Sequence, residues 1–290
     1  MTSARTLRIA TRRSALAQWQ AVHVAGLVAA DTELVLTETA GDRDQAVPIS
    51  EIGGKGVFVK EVQAALLDGR ADIAVHSAKD LPAATPHGLV LASVPERGNP
   101  LDALVGCRLD DLPEGGVVAT GSNRRRVQLM TLRPDLRFEQ LRGNVQTRLE
   151  KAAGFDAIVM AATAIERMEL TPDIVDVLAA DQMLPQVGQG ALAVECRADD
   201  AEAIELLRAI EHEVTRRCVD AERAFLTELG GDCSLPAGAF ATLDGDRLHL
   251  TGMLANEPGT HLFTASQVGA EASIGAAVAA DLRSRLDAVG

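Results

Sequence analysis

One short polar segment centres on Asp80, a residue whose type and position could support proton chemistry. Asp80 directly follows Lys79 and precedes Leu81-Pro82, so a proline restrains the turn that carries it. A carboxylate among cations tends to stay ionised, whereas burial raises its pKa, so Asp80 could either stabilise a cationic intermediate or transfer protons. On spacing alone, a turn or helix-cap aspartate is the commoner interpretation, and the nearby His76 is more often structural than catalytic.

A second segment, Gly230 to Pro236, contains Cys233 and has the composition of a loop. A nucleophilic thiol requires the exposure that a loop provides. Cys107, Cys196 and Cys218 lie in more apolar or helical surroundings, where inert packing is the commoner outcome. No C-x-x-C pair suggests zinc or redox chemistry. Cys233 is therefore the candidate reactive thiol, with a packed thiol as the alternative.

Cationic or hydroxyl residues follow three predicted strands at the points where helices would begin. These segments are Thr11 to Ser14, His76 to Asp80 and Thr120 to Arg126. In open α/β sheets, ligands bind outside the carboxyl ends of the strands, and helix N-termini there offer free N–H groups and positive potential. The three segments therefore predict anion sites.

Arginine continues beyond the third segment at Arg133, Arg137, Arg142 and Arg148, although the chain as a whole is acidic. Guanidinium groups bind carboxylates through two parallel hydrogen bonds, so this density indicates a ligand with several carboxylates. A solvated helix face paired with nearby glutamates is the alternative for any single arginine. The adjacent residues 124–126 favour ligand binding, because clustered like charge is destabilising unless an anion relieves it.

The composition restricts the class of partner. The chain has 290 residues, 47% of them apolar, and a formal net charge of −13, which opposes general attraction to nucleic acid or to an anionic membrane surface. With no Tyr, six Phe and one Trp, few rings can stack on nucleotide bases. No apolar run reaches transmembrane length, and the glycine-rich segment around Lys55 lacks the Ser or Thr of a phosphate-binding loop. We expect a soluble protein of a reducing cytoplasm that binds a small charged molecule and holds no metal.

Short β-rich runs alternate with helical patterns over the first two-thirds of the chain, which predicts βαβ units and mostly parallel sheets. After the first strand, Ser14 is expected to cap a helix. The apolar face of this helix is predicted to carry Leu16, Trp19 and Leu27.

Three later segments complete the predicted elements. Residues 72–75 have the pattern of a buried strand that leads into a polar turn at 76–80. Residues 201–229 are helical and heavily charged, which predicts one packed and one solvated face. The tail alternates apolar and polar residues around 248–254 and ends in an Ala-rich helix, so it predicts a smaller α+β domain.

Taken together, these segments resemble the porphobilinogen deaminase family across almost the whole chain. The matching segments occur in the order of that family, and an ordered set of this extent is highly specific. They are LRIATRRSALAQWQ, GGKGVFVKE, ADIAVHSAKDLP, GSNRRR, LRGNVQTRL, LPQVGQGALAVECR and AERAFLTELGGDC.

The resemblance implies an α/β fold with two periplasmic-binding-protein-like α/β domains plus a smaller α+β C-terminal domain. Domain 1 would comprise residues 1–97 and 190–209, and domain 2 residues 98–189. Domain 3 would comprise residues 210–290 and carry the cofactor-attachment cysteine. The segments Pro95 to Pro100 and Leu184 to Gly190 interrupt the periodicity near these boundaries.

The resemblance also implies a hydroxymethylbilane synthase, a transferase of tetrapyrrole (haem) biosynthesis. Such an enzyme joins four porphobilinogen molecules head to tail on a covalent dipyrromethane primer and releases ammonia at each step. Water then frees the product, 1-hydroxymethylbilane. A thioether holds the primer, which matches Cys233 here. The family further implies a cytoplasmic monomer that acts on porphobilinogen and binds neither nucleic acid nor membrane.

Residue roles follow from the resemblance position by position. Asp80 matches the catalytic carboxylate, while Lys55 and Phe58 fall on the loop that borders the active site. Binding of the cofactor and substrate carboxylates is implied for Arg12, Ser14, Lys79, Ser122, Arg124, Arg125, Arg142, Arg148 and Arg167.

Three positions depart from the family pattern. Ala40 stands where an arginine is common before Gly-Asp, and Gly121 and Asn123 replace the commoner Ser and Leu. These changes affect local contacts rather than the overall resemblance.

Two other classes of function remain to be weighed. A non-catalytic two-lobed binding protein for a polycarboxylate ligand would use the same cationic strand ends. Nucleic-acid binding through the basic segment is disfavoured by the net charge of −13 and the few aromatic residues.

Overall fold

The secondary structure follows the hydrophobic pattern of the chain, and the computed structural model describes residues 5–39, 56, 58–230 and 235–289. In chain order the described strands are β1 (Leu7–Arg12), β2 (Thr32–Thr37), β3 (Ile73–Ser77), β4 (Leu89–Ser93), β5 (Asp102–Val105), β6 (Val117–Ala119), β7 (Arg137–Glu139), β8 (Ala157–Ala161), β9 (Val175–Val177), β10 (Leu192–Arg197), β11 (Ala237–Asp244), β12 (Arg247–Ala255) and β13 (Leu262–Gly269). The described helices are α1 (Ala15–Leu27), α2 (Lys60–Leu67), α3 (Asn123–Leu132), α4 (Val145–Ala152), α5 (Ala162–Arg167), α6 (Ala201–Arg208), α7 (Glu213–Glu228) and α8 (Ile274–Asp287). A 3-10 turn, Ala78–Asp80, follows β3.

The first sheet has the strand order β2-β1-β3-β10-β4. β1 pairs in parallel with β2 and β3, whereas β10 runs antiparallel to β3 and β4. Leu7 and Ile9 pack in one apolar cluster with residues of α1 and α6, and the alternate residue Ala10 packs in another with residues of α2. Because successive side chains of a strand point to opposite faces, helices cover both faces of this sheet, as in other largely parallel sheets.

The second sheet has the order β7-β6-β8-β5-β9 and the same arrangement of directions. β6 is parallel to β7 and β8, whereas β5 is antiparallel to β8 and β9. Along β8, Ala157 and Val159 belong to one apolar cluster, while Ile158 and Met160 belong to another. This alternation buries both faces. In each of the two sheets four of the five strands run in one direction, as the prediction of mostly parallel sheets requires, although two of the four pairings in each sheet are antiparallel.

The third sheet is an antiparallel meander of β11, β12 and β13. Helices α7 and α8 contribute Phe225 and Val278 to the apolar cluster that this sheet buries. The two helices touch closely at Gly275, where a Cβ atom would collide with the carbonyl oxygen of Ala221. The expectation of a smaller α+β segment at the C-terminal end is confirmed.

The described residues group into two compact units. The first comprises Met1–Gly98 and Ala191–Arg216, and the second comprises Asn99–Gly190 and Arg217–Gly290. The first sheet belongs to the first unit, and the second and third sheets belong to the second unit. The mixed fold of two α/β sheets and a smaller C-terminal sheet is confirmed, whereas the division into three domains with the boundaries given above stays a prediction.

The predicted apolar face of α1 is wrong. The helix buries Ala17, Gln20, Ala21 and Val24, while Leu27 is 45% exposed. Small side chains on the buried face allow the helix to lie close to the sheet, and the amide of Gln20 donates to the Ser77 hydroxyl at 3.1 Å. The area that would be gained by burying the longer side chain of Leu27 does not outweigh the close packing of these small side chains.

Two other expectations need correction. His76 is not part of a polar turn but lies buried within β3, and the turn is confined to residues 78–80. The predicted long helix over 201–229 is two helices, α6 and α7, separated at residues 209–212. Asp200 caps α6 by accepting a hydrogen bond from the Ala203 N–H, and the imidazole of His212 accepts one from the N–H of Thr215 at the start of α7.

Candidate active site

Two groups of predicted site residues follow β1 and β3, which are neighbouring parallel strands of the first sheet. β1 ends at Arg12, and Ser14 caps the helix that follows. β3 ends at Ser77, and Lys79 and Asp80 lie in the 3-10 turn directly after it. Because the carboxyl ends of parallel strands meet at one edge, the fold brings the two groups to the same edge of the sheet. Arg12, Ser14, Lys79 and Asp80 are all half-buried.

Arg12 also contacts Phe58, which precedes α2. The guanidinium carbon of Arg12 lies 4.2 Å from the centre of the Phe58 ring. A cation over the face of an aromatic ring is attracted by the ring quadrupole. Two residues that the sequence placed in different parts of the site, a binding arginine and a loop phenylalanine, are therefore in contact.

The turn that carries Asp80 is held to the sheet by main-chain hydrogen bonds. The N–H of Ala78 donates to the carbonyl oxygen of Ala191 at 3.0 Å, just before β10 begins. The N–H of Leu81 closes the turn on the carbonyl of Ala78 at 3.3 Å. Pro82 follows directly, and its fixed φ limits the conformations of the chain beyond the turn.

A buried polar cluster lies in the sheet behind this turn. The Nε2 atom of His76 is 3.2 Å from an Oε2 atom of Glu195, and the amide of Gln63 donates to the same oxygen at 2.8 Å. Glu195 is fully buried and His76 nearly so. The cluster joins β3, β10 and α2, so this position of His76 fits a structural role.

The second sheet collects another group of predicted residues at the carboxyl ends of its parallel strands. Ser122 follows β6 and caps α3, because its hydroxyl accepts a hydrogen bond from the Arg125 N–H at 3.4 Å. Arg142 follows β7, and Arg148 lies on α4 after it. Arg167 lies on α5, which follows β8 without a break. β5 runs in the opposite direction, so its first residue, Asp102, belongs to the same edge.

Arg124 and Arg125 both bind Asp102. The Nη2 atoms of Arg124 and Arg125 donate to the two oxygens of Asp102, each at 2.7 Å, and Nε of Arg125 donates at 3.0 Å. Arg124 also donates to the carbonyl of Leu184, and Arg125 to the carbonyl of Val159 at 3.0 Å. All three charged side chains are buried. Asp102 therefore provides, within the protein, an anion that relieves the clustered positive charge.

The charge of this triad is asymmetric. Burial by itself would raise the pKa of the Asp102 carboxyl, but the positive charges of Arg124 and Arg125 outweigh burial and lower that pKa to about 2. Two cations and one anion leave one net positive charge. The next arginine, Arg126, turns away and donates to the carbonyl of Glu257 at 2.7 Å, where it ties α3 to the loop after β12.

Two of the remaining predicted arginines, Arg148 and Arg167, are anchored by main-chain carbonyls. Nε of Arg148 donates to Gly143 at 2.8 Å, and Nη2 of Arg167 donates to Gly190 at 2.7 Å. Burial lowers the pKa of the Arg167 guanidinium to about 10, which still leaves it cationic at neutral pH. Arg142 and Arg148 are half-buried beside the N-terminus of α4, which Asn144 caps.

Some predicted positions lie outside the described residues. These are Cys233, Lys55 and Ala40. Of the other cysteines, Cys196 and Cys218 are buried, and burial raises the pKa of the Cys196 thiol to about 11. A nucleophilic thiol needs exposure, so burial makes both thiols poor candidates for the attachment site that is predicted at Cys233.

Sequence reasoning missed Asp102, Gln189 and Glu222. Asp102 lies 22 and 23 residues from the two arginines that it binds, and no local pattern marks such a long-range pair. Gln189 and Glu222 are fully buried polar residues in segments that the sequence assigned to a loop and to a solvated helix. Their partners become visible only when the elements are packed together.

The donor set of both edges fits a group with several carboxylates. Each edge presents arginine or lysine side chains and a serine-capped helix N-terminus, which are the groups that bind carboxylates best. This chemistry fits the acetate and propionate arms of the dipyrromethane primer that the resemblance implies. Among the described residues, His, Cys, Asp and Glu side chains form no group of three that could hold a metal ion. None of the described helices is both long and apolar enough to cross a membrane.

Solved structures match most of the chain only weakly. The regulatory domain of OxyR from Pseudomonas aeruginosa matches with a TM-score of 0.41 and 15% identity, covering 72% of this chain and 98% of that chain. A TRAP periplasmic solute binding protein from Ralstonia eutropha matches with a TM-score of 0.39 and 14% identity, covering 79% and 82%. Scores this low carry no argument about this protein.

Sequence comparisons are far more specific. The family model described as "Porphobilinogen deaminase, dipyromethane cofactor binding domain" matches residues 7–205, and "Porphobilinogen deaminase, C-terminal domain" matches residues 216–284. Porphobilinogen deaminase of Chromobacterium violaceum is 48% identical over 271 residues, covering 90% of this chain and 88% of that protein. The protein of the same name from Brevibacillus brevis is 44% identical over 273 residues, with coverage of 90% and 88%. This chain therefore belongs to the porphobilinogen deaminase family.

Proposed function

We propose that this chain joins four porphobilinogen molecules head to tail, releases ammonia at each step, and releases 1-hydroxymethylbilane when water ends the sequence. The observation that carries the proposal is the position of Asp80. It is a half-buried carboxylate beside Lys79, at the same sheet edge as Arg12. One carboxylate among cations suits a reaction in which a substrate with negative arms passes through a positively charged state.

The cationic groups bind the acetate and propionate arms of substrate and cofactor. In this proposal Arg12 and Lys79 act at the first sheet, and Arg142, Arg148 and Arg167 act at the second. Ser14 and Ser122 cap the N-termini of α1 and α3, and in this proposal the free N–H groups of each helix end offer further donors to anions. Arg124 and Arg125 add the net positive charge that remains after Asp102 is counted.

Cys233 is proposed as the attachment site of the dipyrromethane cofactor through a thioether. When bound, the cofactor supplies the terminal pyrrole carbon from which the chain of four units grows. A thioether is stable to the conditions of the reaction, so Cys233 retains the primer while the product leaves. Lys55 and Phe58 are proposed to border the site, and the Arg12–Phe58 contact supports that placement for Phe58.

Asp80 is proposed to be the catalytic residue. Its carboxylate accepts hydrogen bonds from pyrrole N–H groups and stabilises the positive charge that forms when ammonia leaves the aminomethyl group of porphobilinogen. It then accepts the proton that the α-carbon loses after the new carbon–carbon bond has formed. Main-chain hydrogen bonds at Ala78 and Leu81 hold the carboxylate in position for both tasks.

A non-catalytic binding protein for a polycarboxylate would use the same cationic strand ends. The family models and the named relatives do not favour this alternative. We also propose that the protein is a cytoplasmic monomer. Light scattering on the purified chain would test the monomer, and fractionation of the producing cells would test the location.

Intact mass spectrometry tests the function directly. The purified chain should carry a mass increment of two pyrrole units and give a coloured adduct with acidic Ehrlich's reagent. Cys233→Ser should lose this increment, whereas Cys107→Ser, a change at a half-buried cysteine, should keep it. Asp80→Ala should keep the increment but lose turnover by a factor of about 10² to 10⁴. A wild-type chain that stays unmodified and inactive after incubation with porphobilinogen would refute the proposal.

A further inference from the structure

The loop Gly188 to Gly190 connects three of the predicted site arginines to helix α7. The N–H of Gly188 donates to Oε2 of Glu222 at 2.7 Å, and the carbonyl of Gly190 accepts from Arg167 at 2.7 Å. Between them, the side-chain amide of Gln189 donates to Oδ1 of Asp102 at 3.0 Å. Through Asp102 the loop therefore reaches Arg124 and Arg125, and through its backbone it reaches Arg167.

Gln189 is completely buried and holds two acceptors at once. Its Nε2 atom donates both to Asp102 and to the carbonyl of Pro100, the latter at 2.7 Å. Pro100 lies two residues before Asp102 at the entry to β5, so one amide fixes both the carboxylate and the backbone that carries it. A buried acceptor that loses its partner is left both desolvated and unsatisfied, so these contacts hold Asp102 firmly.

Glu222 holds the other side of the loop. It is fully buried on α7, and its two carboxylate oxygens accept hydrogen bonds from the N–H groups of Gly188 and Ala241, at 2.7 and 3.0 Å. Ala241 belongs to β11, so a single carboxylate ties the loop to both α7 and the third sheet. Hydrogen bonds from backbone N–H groups to a carboxylate are among the stronger ones in proteins.

The backbone leaves this arrangement little freedom. Gly188 and Gly190 have φ values of +70° and +86°, in the left-handed region that favours glycine. On β11, a Cβ atom at Gly238 would lie 2.7 Å from the carbonyl oxygen of Pro185 and 3.0 Å from Cδ of Arg124. The segment before the loop, β11 and Arg124 thus pack at backbone distance and leave little room for Arg124 to move.

Gln189 also affects the net charge of the cluster that it contacts. Arg124, Arg125 and Asp102 carry one net positive charge, and a neutral amide contacts Asp102 without altering it. A carboxylate at the same position would cancel the net charge and draw the arginines towards itself. The choice of an amide therefore preserves a positive potential at the edge that carries Ser122 and Arg142.

We propose that Gln189 and Glu222 are positioning residues for the reaction. Gln189 acts through Asp102, and Glu222 acts through the loop backbone. Together they set the orientation and the net charge of Arg124, Arg125 and Arg167 towards the carboxylates of porphobilinogen and of the primer. This inference rests on the proposed function and extends it to two residues that touch neither substrate nor cofactor.

The test compares Gln189→Glu and Gln189→Leu with a matched control. Gln189→Glu keeps the shape and adds a charge, whereas Gln189→Leu removes the donor without adding one. The control, Asp176→Ala, removes a hydrogen bond of 2.8 Å to the Leu109 N–H in the same unit, beyond the opposite end of β5. For each protein, KM and kcat for porphobilinogen are measured, and intact mass follows the rate at which apoprotein acquires the two-pyrrole increment.

The positioning role predicts a KM effect that depends on charge. Gln189→Glu should raise KM at least tenfold and slow primer loading by a similar factor, with kcat changed less than threefold because Asp80 is untouched. Gln189→Leu should raise KM by a smaller factor, and Asp176→Ala should behave as wild type. If neither Gln189 variant folds, Glu222→Gln tests the positioning role instead. This variant keeps the shape of the side chain and should raise KM.

Two results would overturn the inference. The first is a KM and a loading rate within twofold of wild type in the folded variants. The second is a loss in Gln189→Glu that Gln189→Leu and Asp176→Ala reproduce equally, because that would reflect stability alone. A wild-type chain without primer or turnover would instead contradict the proposed function, so the two failures are distinguishable.

Discussion

The guanidinium carbon of Arg12 lies 4.2 Å from the centre of the Phe58 ring, so the end of β1 is joined to the segment that precedes α2. A cation held over an aromatic face keeps its charge while its long side chain loses freedom to move. Arg12 is thereby presented at the sheet edge that also carries Lys79 and Asp80. This contact supports the proposal that Phe58 orients Arg12 for binding.

Replacement of Phe58 should weaken substrate binding rather than the chemical step. Phe58→Leu removes the ring, and a cation–π contact at a partly exposed site contributes about 0.5–1 kcal/mol. KM for porphobilinogen should therefore rise roughly two- to fivefold, with little change in kcat. Phe58→Tyr retains a ring and serves as the control. An equal rise in KM for both variants would contradict the orienting role.

Ser14 allows helix capping to be separated from ligand binding. Its hydroxyl accepts a hydrogen bond from the Ala17 N–H at 3.3 Å, so Ser14→Ala should lower the free energy of unfolding by about 1 kcal/mol. Ser14→Asp keeps an acceptor and hence the stability, but it places a negative charge beside Arg12 and should raise KM. Denaturant unfolding and steady-state kinetics measure the two effects. If Ser14→Ala raises KM as much as Ser14→Asp, the hydroxyl itself binds ligand.

Asp102→Asn should destabilise the second unit strongly. The substitution leaves two buried guanidinium groups without their counter-charge, and breaking a buried ion pair in this way costs about 3–5 kcal/mol. Denaturant unfolding of the variant measures the loss. Adding Arg124→Gln to Asp102→Asn should cost less than the sum of the two single changes, because the second change removes one of the stranded charges. Strict additivity would show that the pair is not coupled.

Acid should remove the contribution of Asp72, which lies before β3 at the edge opposite Asp80. Burial would raise the pKa of the Asp72 carboxyl, but hydrogen bonds from Arg8 and Arg5 lower it well below its usual range. A lowered folded-state pKa stabilises the protein above the unfolded pKa of about 3.9, and this stability disappears as pH falls towards the folded value. The stability gap between wild type and Asp72→Asn should be full at pH 7 and shrink below about pH 4.

Unfolding in urea at several pH values checks this prediction. KM for porphobilinogen at neutral pH should be the same in both proteins, because Asp72 is remote from the carboxyl ends of the strands. A gap that stays constant down to the lowest accessible pH would show that the ionised carboxylate contributes nothing.

Much of the fold could be predicted because its signals are local. The buried strand predicted over residues 72–75 is found as β3, Ile73–Ser77, and Ser14 caps α1 as its position before the helix indicates. The buried face of α1 could not be predicted correctly from the sequence, since Leu16, Trp19 and Leu27 also have helical spacing. Which of two possible faces is buried depends on the shape of the sheet that receives it, and the helix sequence does not contain that shape.

The candidate site likewise contains residues that could be predicted from the sequence and residues that could not. Arg12 ends a strand that the sequence itself marks, and Lys79, Asp80 and Ser122 follow two others, because an apolar run followed by polar or capping residues is a short-range pattern. The ordered family segments likewise depend only on which residues follow one another. The sequence by itself therefore determined the family, the strand ends and the residues proposed for chemistry.

Only the tertiary structure decided how the charges are balanced. Asp102 meets Arg124 and Arg125, and Gln189 meets Asp102, across separations of 22, 23 and 87 residues. Burying a charge is unfavourable unless a partner lies within hydrogen-bond distance, and that condition is met only after distant segments have packed together. Asp80 could be identified from its neighbours in the chain, whereas the residues that orient the arginines had to be found from their neighbours in space.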